Sequence, residues 1–392
     1  MDARTFQAHL ENDLIPFWNK MADYTNGGFY GYADSTGIPD KESDKGCILN
    51  SRILWFYSAA YRLLKNKELL SMAEHAFNFL ADKFYDSRYG GVYWSVTADG
   101  MPKDTTKHTY NQAFAIYALS EYYQASGSRE ALTLAYDMYH VIEDKCRDND
   151  GYFEAFSREF NPVSNDKLSE NGVIAERTMN SLLHIMEAYT ELYRADHFYE
   201  VGDSIREILR IFKFKVYNPD REMCEVFFDK TYHSLINLES YGHDIETSWL
   251  IDRACEVLED KAYYDEMLPM IKALADGALR NGIDTQHKAM NNECENKVVD
   301  QKKVWWVQAE SVTGFYNAYK NDPSRTEYLE ISEQIWDYIN RYVIDKQSGE
   351  WIENISPDNT ANPAQALAHP WKCPYHNGRM CIEMINRLSL TA

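Results

Sequence analysis

Positive charge is scarce in this chain: 40 Lys and Arg stand against 61 Asp and Glu, a net charge of −21. Such a field repels nucleic acid phosphates and anionic lipid headgroups, so neither is an expected partner. Long apolar runs are missing as well. Ala113 to Leu119 is among the longest, and a bilayer needs roughly 20 residues. No basic stretch followed by an apolar core opens the chain, so no secretory signal is read there. Seven cysteines without a Cys-x-x-Cys pair fit a reducing compartment better than a disulfide framework or a zinc site. The expectation is a cytoplasmic protein. Pro/Ser-rich linkers and charge blocks are absent, which predicts one domain over residues 1–392.

Aromatic residues are abundant at 14%, with 29 Tyr and 9 Trp. That is more than a core needs and suits a surface that stacks on something flat and weakly polar, such as a sugar. Strand alternation is rare, and the many helical segments fall into two kinds. REALTLAYDMYHVIED carries Leu132, Ala135, Tyr136, Tyr139 and Ile142 on one stripe, as on a helix with one face in solvent. The other kind is apolar nearly all round and begins near Asn50, His108, Arg177, Tyr241, Lys303 and Cys373. With Arg52, Gln112, Asn180, His243, Trp306 and His376 as markers, these segments recur after 60, 68, 63, 63 and 70 residues. Each interval holds one helix pair and a connection, so the fold class is all-α: an (α/α)6 barrel, or toroid. Gly- and aromatic-rich stretches such as GGFYGYADSTG from Gly27 and GGVYWSVTADG from Gly90 read as short β-hairpins in the connecting loops.

Polar residues on such inner helices need a reason. Each of the six carries them near its N-terminal end: Arg52; Tyr110 with Gln112; Asn180 with His184; His243 with Glu246; Trp306 with Glu310; His376 with Arg379. If the helices alternate in direction around the ring, these side chains converge on one axial pocket, where the positive ends of six helix dipoles also point. His243 and Glu246 have the i, i+3 spacing of carboxylate-bridged metal bundles. No second pair completes such a site, and Arg379 puts a cation where a ligand would be needed, so no metal is expected. A glycoside hydrolase would need two carboxylates across the scissile bond. Glu246 and Glu310 offer two, but the constellation is dominated by histidines, which suit reversible proton transfer at carbon.

At these same segments the sequence resembles the cellobiose 2-epimerases of the N-acylglucosamine 2-epimerase superfamily. The resemblance spans essentially the whole chain and is densest at KGCILNSRILWFYSAAYR, SENGVIAERTMNSLLHIMEAY, SYGHDIETSWL, KVWWVQAES and WKCPYHNGRMCIEMI. It implies an (α/α)6 barrel that epimerises C2 of the reducing-end glucose of β-1,4-linked disaccharides, cellobiose to glucosyl-mannose and lactose to epilactose, without metal or nucleotide. By motif match it implies that His243 in YGHDIE and His376 in CPYHNGR are the paired acid/base residues. His184 in NSLLH and Arg52 in NSRILWF would assist ring opening. Tyr110, Asn180, Glu246, Trp306, Glu310 and Trp371 would line the sugar site. The second Trp of KVWWVQAE is taken to face inward, with Trp305 as the alternative because the motif does not fix helical phase.

The chemistry fits these residue types. A closed pyranose has no acidic C–H, so the hemiacetal must open before C2 stands next to a carbonyl. Loss of the C2 proton leaves a cis-enediolate, which Arg52 and His184 are suited to stabilise. Inversion needs acid/base groups on both faces, or one group and a rotating intermediate. Glu246, one turn from His243, either orients that imidazole or pairs with an arginine. Trp371 sits in a loop at the pocket mouth, to stack on the second sugar ring or to pack the loop onto the barrel. Other readings are an N-acylglucosamine 2-epimerase or aldose–ketose isomerase of the same fold, or a sugar-binding protein without turnover. The expected partner is a small disaccharide, and the chain is expected as a monomer or weak homo-oligomer.

Overall fold

The computed structural model describes residues 1–168 and 171–389. Among these, six inner helices surround a common axis: Cys47–Leu64, Thr109–Ser126, Met179–Asp196, Tyr241–Leu258, Trp305–Asn321 and His376–Ser389. The first five pack on the outer helices that follow them, Lys67–Phe79, Arg129–Lys145, Tyr199–Ile211, Lys261–Gly282 and Thr326–Tyr338. The sixth takes the first helix of the chain, Ala3–His9, as its partner and also touches the first and fifth inner helices. The ring therefore closes by joining the two ends of the chain, and the expected (α/α)6 barrel is present.

The two helix kinds follow from burial. Thr109–Ser126 is buried at every position from Thr109 to Tyr122, which an all-round apolar sequence satisfies and an amphipathic one cannot. Tyr199–Ile211 instead buries one stripe, Val201, Gly202, Ser204, Ile205, Ile208, Leu209 and Ile211. One continuous apolar cluster from Phe6 to Ile385 fills the space between and within the two rings.

The two ends of the barrel differ. At one end each of the first five inner helices turns directly into its outer partner. Lys65, His197 and Glu259 adopt left-handed φ values of 58°, 56° and 54°, the usual exit from a helix. Asn66, Ser128 and Asp260 then cap the outer helices by accepting backbone N–H bonds. All long connections are left at the other end, where the inner helices begin.

These connections form a rim of two- and three-residue strands. Lys45–Gly46 pairs antiparallel with Ser95–Val96, Lys107–His108 with Ala155–Phe156, Arg177–Thr178 with Phe227–Phe228, Leu238–Ser240 with Glu293–Glu295, and Lys303–Val304 with Asn354–Ile355. The aromatic-rich stretches are thus more than local hairpins: the strand entering one inner helix is stitched to the connection of the next repeat. Local hairpins occur as well, as at Glu293–Glu295 with Val298–Asp300, turned by Asn296 and Lys297, both at positive φ.

A recurring ion pair locks the rim. Lys45 Nζ meets Asp23 at 2.7 Å and Lys372 Nζ meets Glu350 at 3.1 Å, all four side chains fully buried. Lys107 with Asp86, Arg177 with Asp148 and Lys303 with Asp284 repeat the pattern at 3.2, 2.7 and 3.0 Å. In each, the cation that precedes an inner helix grips the turn after an outer helix.

Candidate active site

A cavity of about 290 Å³ opens where the inner helices begin. Its wall includes Arg52, Tyr110, Asn180, His184, His243, Glu246, Trp305, Trp306, Trp371 and His376. The convergence predicted from the repeat is therefore present, and of the ten site residues read from the sequence all but Glu310 line this cavity. Gln112 belongs to a different group. Its amide clamps the rim, accepting from Val92 N–H at 2.6 Å and donating to Val92 C=O at 2.9 Å. Gln308 does the same to Met290. Gly91, at φ 75°, has no room for a side chain because a Cβ there would lie 2.7 Å from Gln112 Oε1.

Three imidazoles face the cavity, each held through Nδ1. His184 donates to Glu187 at 2.8 Å and His376 to Glu310 at 2.6 Å, while His243 shares its Nδ1 with Ser240 Oγ at 2.8 Å. Nε2 is left as the ring nitrogen available to a ligand on all three. Enclosure by protein, then the neighbouring His184, push His243 down to about 3. Enclosure and the cations Arg52 and Arg379 push His376 well below the ordinary imidazole value. His184 is also lowered by burial, against the pull of Glu187. All three are neutral near pH 7 and able to accept a proton.

The expected orientation of His243 by Glu246 is not found. Glu246 pairs with Arg379 of the last inner helix, the alternative that the sequence left open. Glu310, read as a sugar contact, lies behind the wall, where it accepts from His376, from Arg379 at 2.7 Å and from Trp249 Nε1 at 3.0 Å. Glu246, Glu310 and His376 bring potential ligand atoms within 4.8 Å of one another. The Arg379 guanidinium already occupies both carboxylates of that cluster and sets a cation beside them, so the donor set does not suit a metal ion.

Arg52 donates to the Tyr110 hydroxyl at 2.7 Å and to the Trp371 carbonyl at 3.3 Å, and its guanidinium lies 4.1 Å from the Phe114 ring centroid. Trp371 thus packs the loop and faces the cavity at once, with Trp94 and Tyr110 beside it at 5.8 and 5.9 Å. Trp306 stands between the acid/base candidates, 4.7 Å from the His243 ring and 5.6 Å from that of His376. Trp305 also reaches the wall, edge-on to His376 at 5.4 Å, so both tryptophans line the cavity. Among the described residues, Arg52 Nε, Asn180 Oδ1 and Glu246 Oε2 are buried polar atoms with no protein partner. Leaving such a group unpaired costs about 1–3 kcal/mol, so the wall is built to hydrogen-bond a polar ligand.

Sequence reading missed Ser240, Glu187, Tyr375 and the rim residues Asn292, Glu293, Lys302 and Glu353. Glu187 carried a signal, an acid one turn after His184 inside an apolar helix. The rim residues carried none, because strand pairing between repeats brings them to the mouth.

A second cavity, of about 410 Å³, lies at the opposite end. No histidine lines it among the described residues, and most of its charges pair with one another: Arg62 with Glu121, Arg194 with Glu191, Arg253 with Glu383. It has no acid/base constellation of the kind found at the first.

The N-acylglucosamine 2-epimerase (GlcNAc 2-epimerase) family model matches residues 28–378. A cellobiose 2-epimerase of Ruminococcus albus is 49% identical over 96% of this chain and 97% of its own. One of Eubacterium cellulosolvens is 47% identical over 96% of each. The solved structure of a cellobiose 2-epimerase from Bacillus thermoamylovorans superposes with a TM-score of 0.94 at 41% identity, covering 98% of this chain and 99% of that one. With its helical ring, its axial histidine cavity and these full-length likenesses, the chain belongs to the N-acylglucosamine 2-epimerase family.

Proposed function

We propose that this protein is a disaccharide 2-epimerase that inverts C2 of the reducing-end glucose of cellobiose or lactose. The observation that carries the reading is the pair His243 and His376 on either side of Trp306, both neutral and both offering Nε2 to one cavity.

In this reading the reducing sugar binds with its O1 and O5 region near Arg52 and His184. Proton transfer from O1 and to O5 opens the ring. One of His243 and His376 removes the C2 proton, and the cis-enediolate is met by the permanently charged Arg52. The other imidazole, neutral at rest, takes up a solvent proton at Nε2 and passes it to the opposite face, and the first ring releases the abstracted proton to solvent. Asn180 Oδ1 and Glu246 Oε2, without protein partners, are placed to bind sugar hydroxyls. Trp371 at the mouth offers a ring for the second sugar. A glycosidase would need Glu246 and Glu310 apart and across a bond, whereas both are tied to Arg379. Arg379 between these carboxylates also supports a metal-independent reaction.

The ring closes within the chain, which supports one domain and a cavity complete in a monomer. No described helix is long and apolar enough to cross a membrane. All seven cysteines are free, six of them buried, which supports a reducing, cytoplasmic setting.

Proton NMR of cellobiose incubated with the protein in EDTA tests the reading. Reducing-end mannose signals without free glucose are expected. Released glucose, a ketose as the first product, or an unchanged spectrum would overturn it.

A further inference from the structure

Arg379 lies one turn after His376 on the last inner helix and is 1% exposed. Its guanidinium donates to Glu187 on the third inner helix, to Glu246 on the fourth and to Glu310 on the fifth. The Tyr375 hydroxyl accepts from Arg379 and donates to Glu187 Oε1 at 2.7 Å. The guanidinium is packed between rings, 4.3 Å from the Tyr375 centroid and 4.8 Å from that of Trp249. One cation thus joins four of the six inner helices.

Two of its three carboxylates are the partners of cavity imidazoles. Glu187 Oε2 receives His184 Nδ1–H and Glu310 Oε1 receives His376 Nδ1–H. A carboxylate that accepts from Nδ1 selects the tautomer in which Nε2 carries a lone pair. Its hold depends on what fixes the carboxylate, and here Arg379 is the partner common to both, beside Tyr375 at Glu187 and Trp249 at Glu310. Against the upward push of burial, Arg379 and then His184 keep Glu187 ionised at about 2, so it remains an acceptor. Only a planar fork can bridge three acids at once; a lysine ammonium is a single point of charge.

We propose that Arg379 is a positioning residue which, by holding Glu187 and Glu310, fixes the Nδ1–H tautomers of His184 and His376 and turns Nε2 of both rings to the sugar. His243, held by Ser240, lies outside this control. The proposal rests on the epimerase reading for its kinetic readout alone.

The test is ¹⁵N-histidine NMR of the ligand-free protein beside steady-state kinetics. In wild type, His184 and His376 should each show a single Nδ1–H tautomer. Arg379→Lys should mix the tautomers of both, leave His243 unchanged, and lower kcat about 10- to 100-fold with KM within about twofold. Arg379→Ala removes a side chain that also lines the cavity at the opposite end. Its kcat should be restored in part by ethylguanidinium and not by ethylammonium. If these variants do not fold, Glu187→Gln should disturb the His184 tautomer alone and Glu310→Gln that of His376 alone. Wild-type tautomers in Arg379→Lys, or in either glutamine variant at its own histidine, would overturn the proposal. Fixed tautomers in a wild-type protein without C2 chemistry would support the role of Arg379 while counting against the epimerase reading.

Discussion

His243 and Glu246 stand one turn apart on the same inner helix and make no hydrogen bond to each other: Ser240 Oγ takes the imidazole and Arg379 takes the carboxylate. The same i, i+3 spacing joins His184 to Glu187 at 2.8 Å. Spacing brings two side chains to one face of a helix, but the neighbouring helices decide whether they turn to each other.

Ser240 therefore orients His243, and Ser240→Ala should lower kcat about fivefold, the worth of one hydrogen bond of about 1 kcal/mol. KM should change little, since Ser240 acts through the imidazole. Steady-state kinetics on cellobiose check this, and an unchanged kcat would remove Ser240 from the mechanism.

His243→Asn and His376→Asn should each lower kcat by about 10²–10⁴-fold while leaving sugar binding close to wild type. An amide can keep the hydrogen bond but cannot cycle a proton. Calorimetric titration with cellobiose separates the two effects. A variant that turns over at the wild-type rate would exclude that histidine as an acid/base group.

The ring was legible because burial on both sides leaves a distinctive sequence, as in the run from Tyr110 to Tyr122, and because the interval between inner helices is nearly constant. The cavity was legible because His184, His243 and His376 have no place on apolar helices unless they serve an axial site. What could not be read is whatever depends on contacts between repeats. Gln112 and His243 look alike in sequence as polar breaks in an apolar helix, yet one clamps Val92 and the other faces the cavity. Rotation about the helix by a single residue separates them, and nothing local in the sequence sets that phase.

The rim depends on its buried ion pairs. Lys45→Met leaves the Asp23 carboxylate, fully buried and otherwise paired at 2.7 Å, without its cation. Breaking such a pair costs about 3–5 kcal/mol. The double variant Lys45→Met/Asp23→Leu should recover much of the loss, because no unpaired charge remains. Urea denaturation of the three proteins checks both expectations. A double variant no more stable than the single one would show that the contacts of Asp23 with its own turn outweigh the ion pair.

Acid should destabilise the fold through His243. Its folded value is pushed down to about 3, while an unfolded chain titrates near the ordinary 6.5. Between these values the unfolded state binds the extra proton, so stability is lost as pH falls from 6.5 toward 3, by about 1.4 kcal/mol per pH unit. His243→Asn removes this cost. Relative to wild type, the variant should gain about 2 kcal/mol between pH 7 and pH 5. Urea midpoints measured across that range check it, and parallel curves would place the imidazole close to its ordinary value.

Isotope exchange separates a two-histidine mechanism from a one-histidine mechanism. Trp306 lies between His243 and His376, so a planar enediolate can be reached from different sides by different rings. The imidazole that takes the C2 proton is then not the one that delivers to the product face. The delivering ring, neutral at rest, takes the proton that it delivers from solvent. In D2O, starting from ordinary cellobiose, the first epimerised molecules should therefore carry deuterium at C2, and recovered cellobiose should acquire it more slowly. A single base that moved with a rotating intermediate would carry the original hydrogen across, leaving a share of early product unlabelled. NMR of the first few per cent of product distinguishes the two. Substantial protium at product C2 would exclude delivery by a second histidine, and would leave the partner ring the task of opening the sugar.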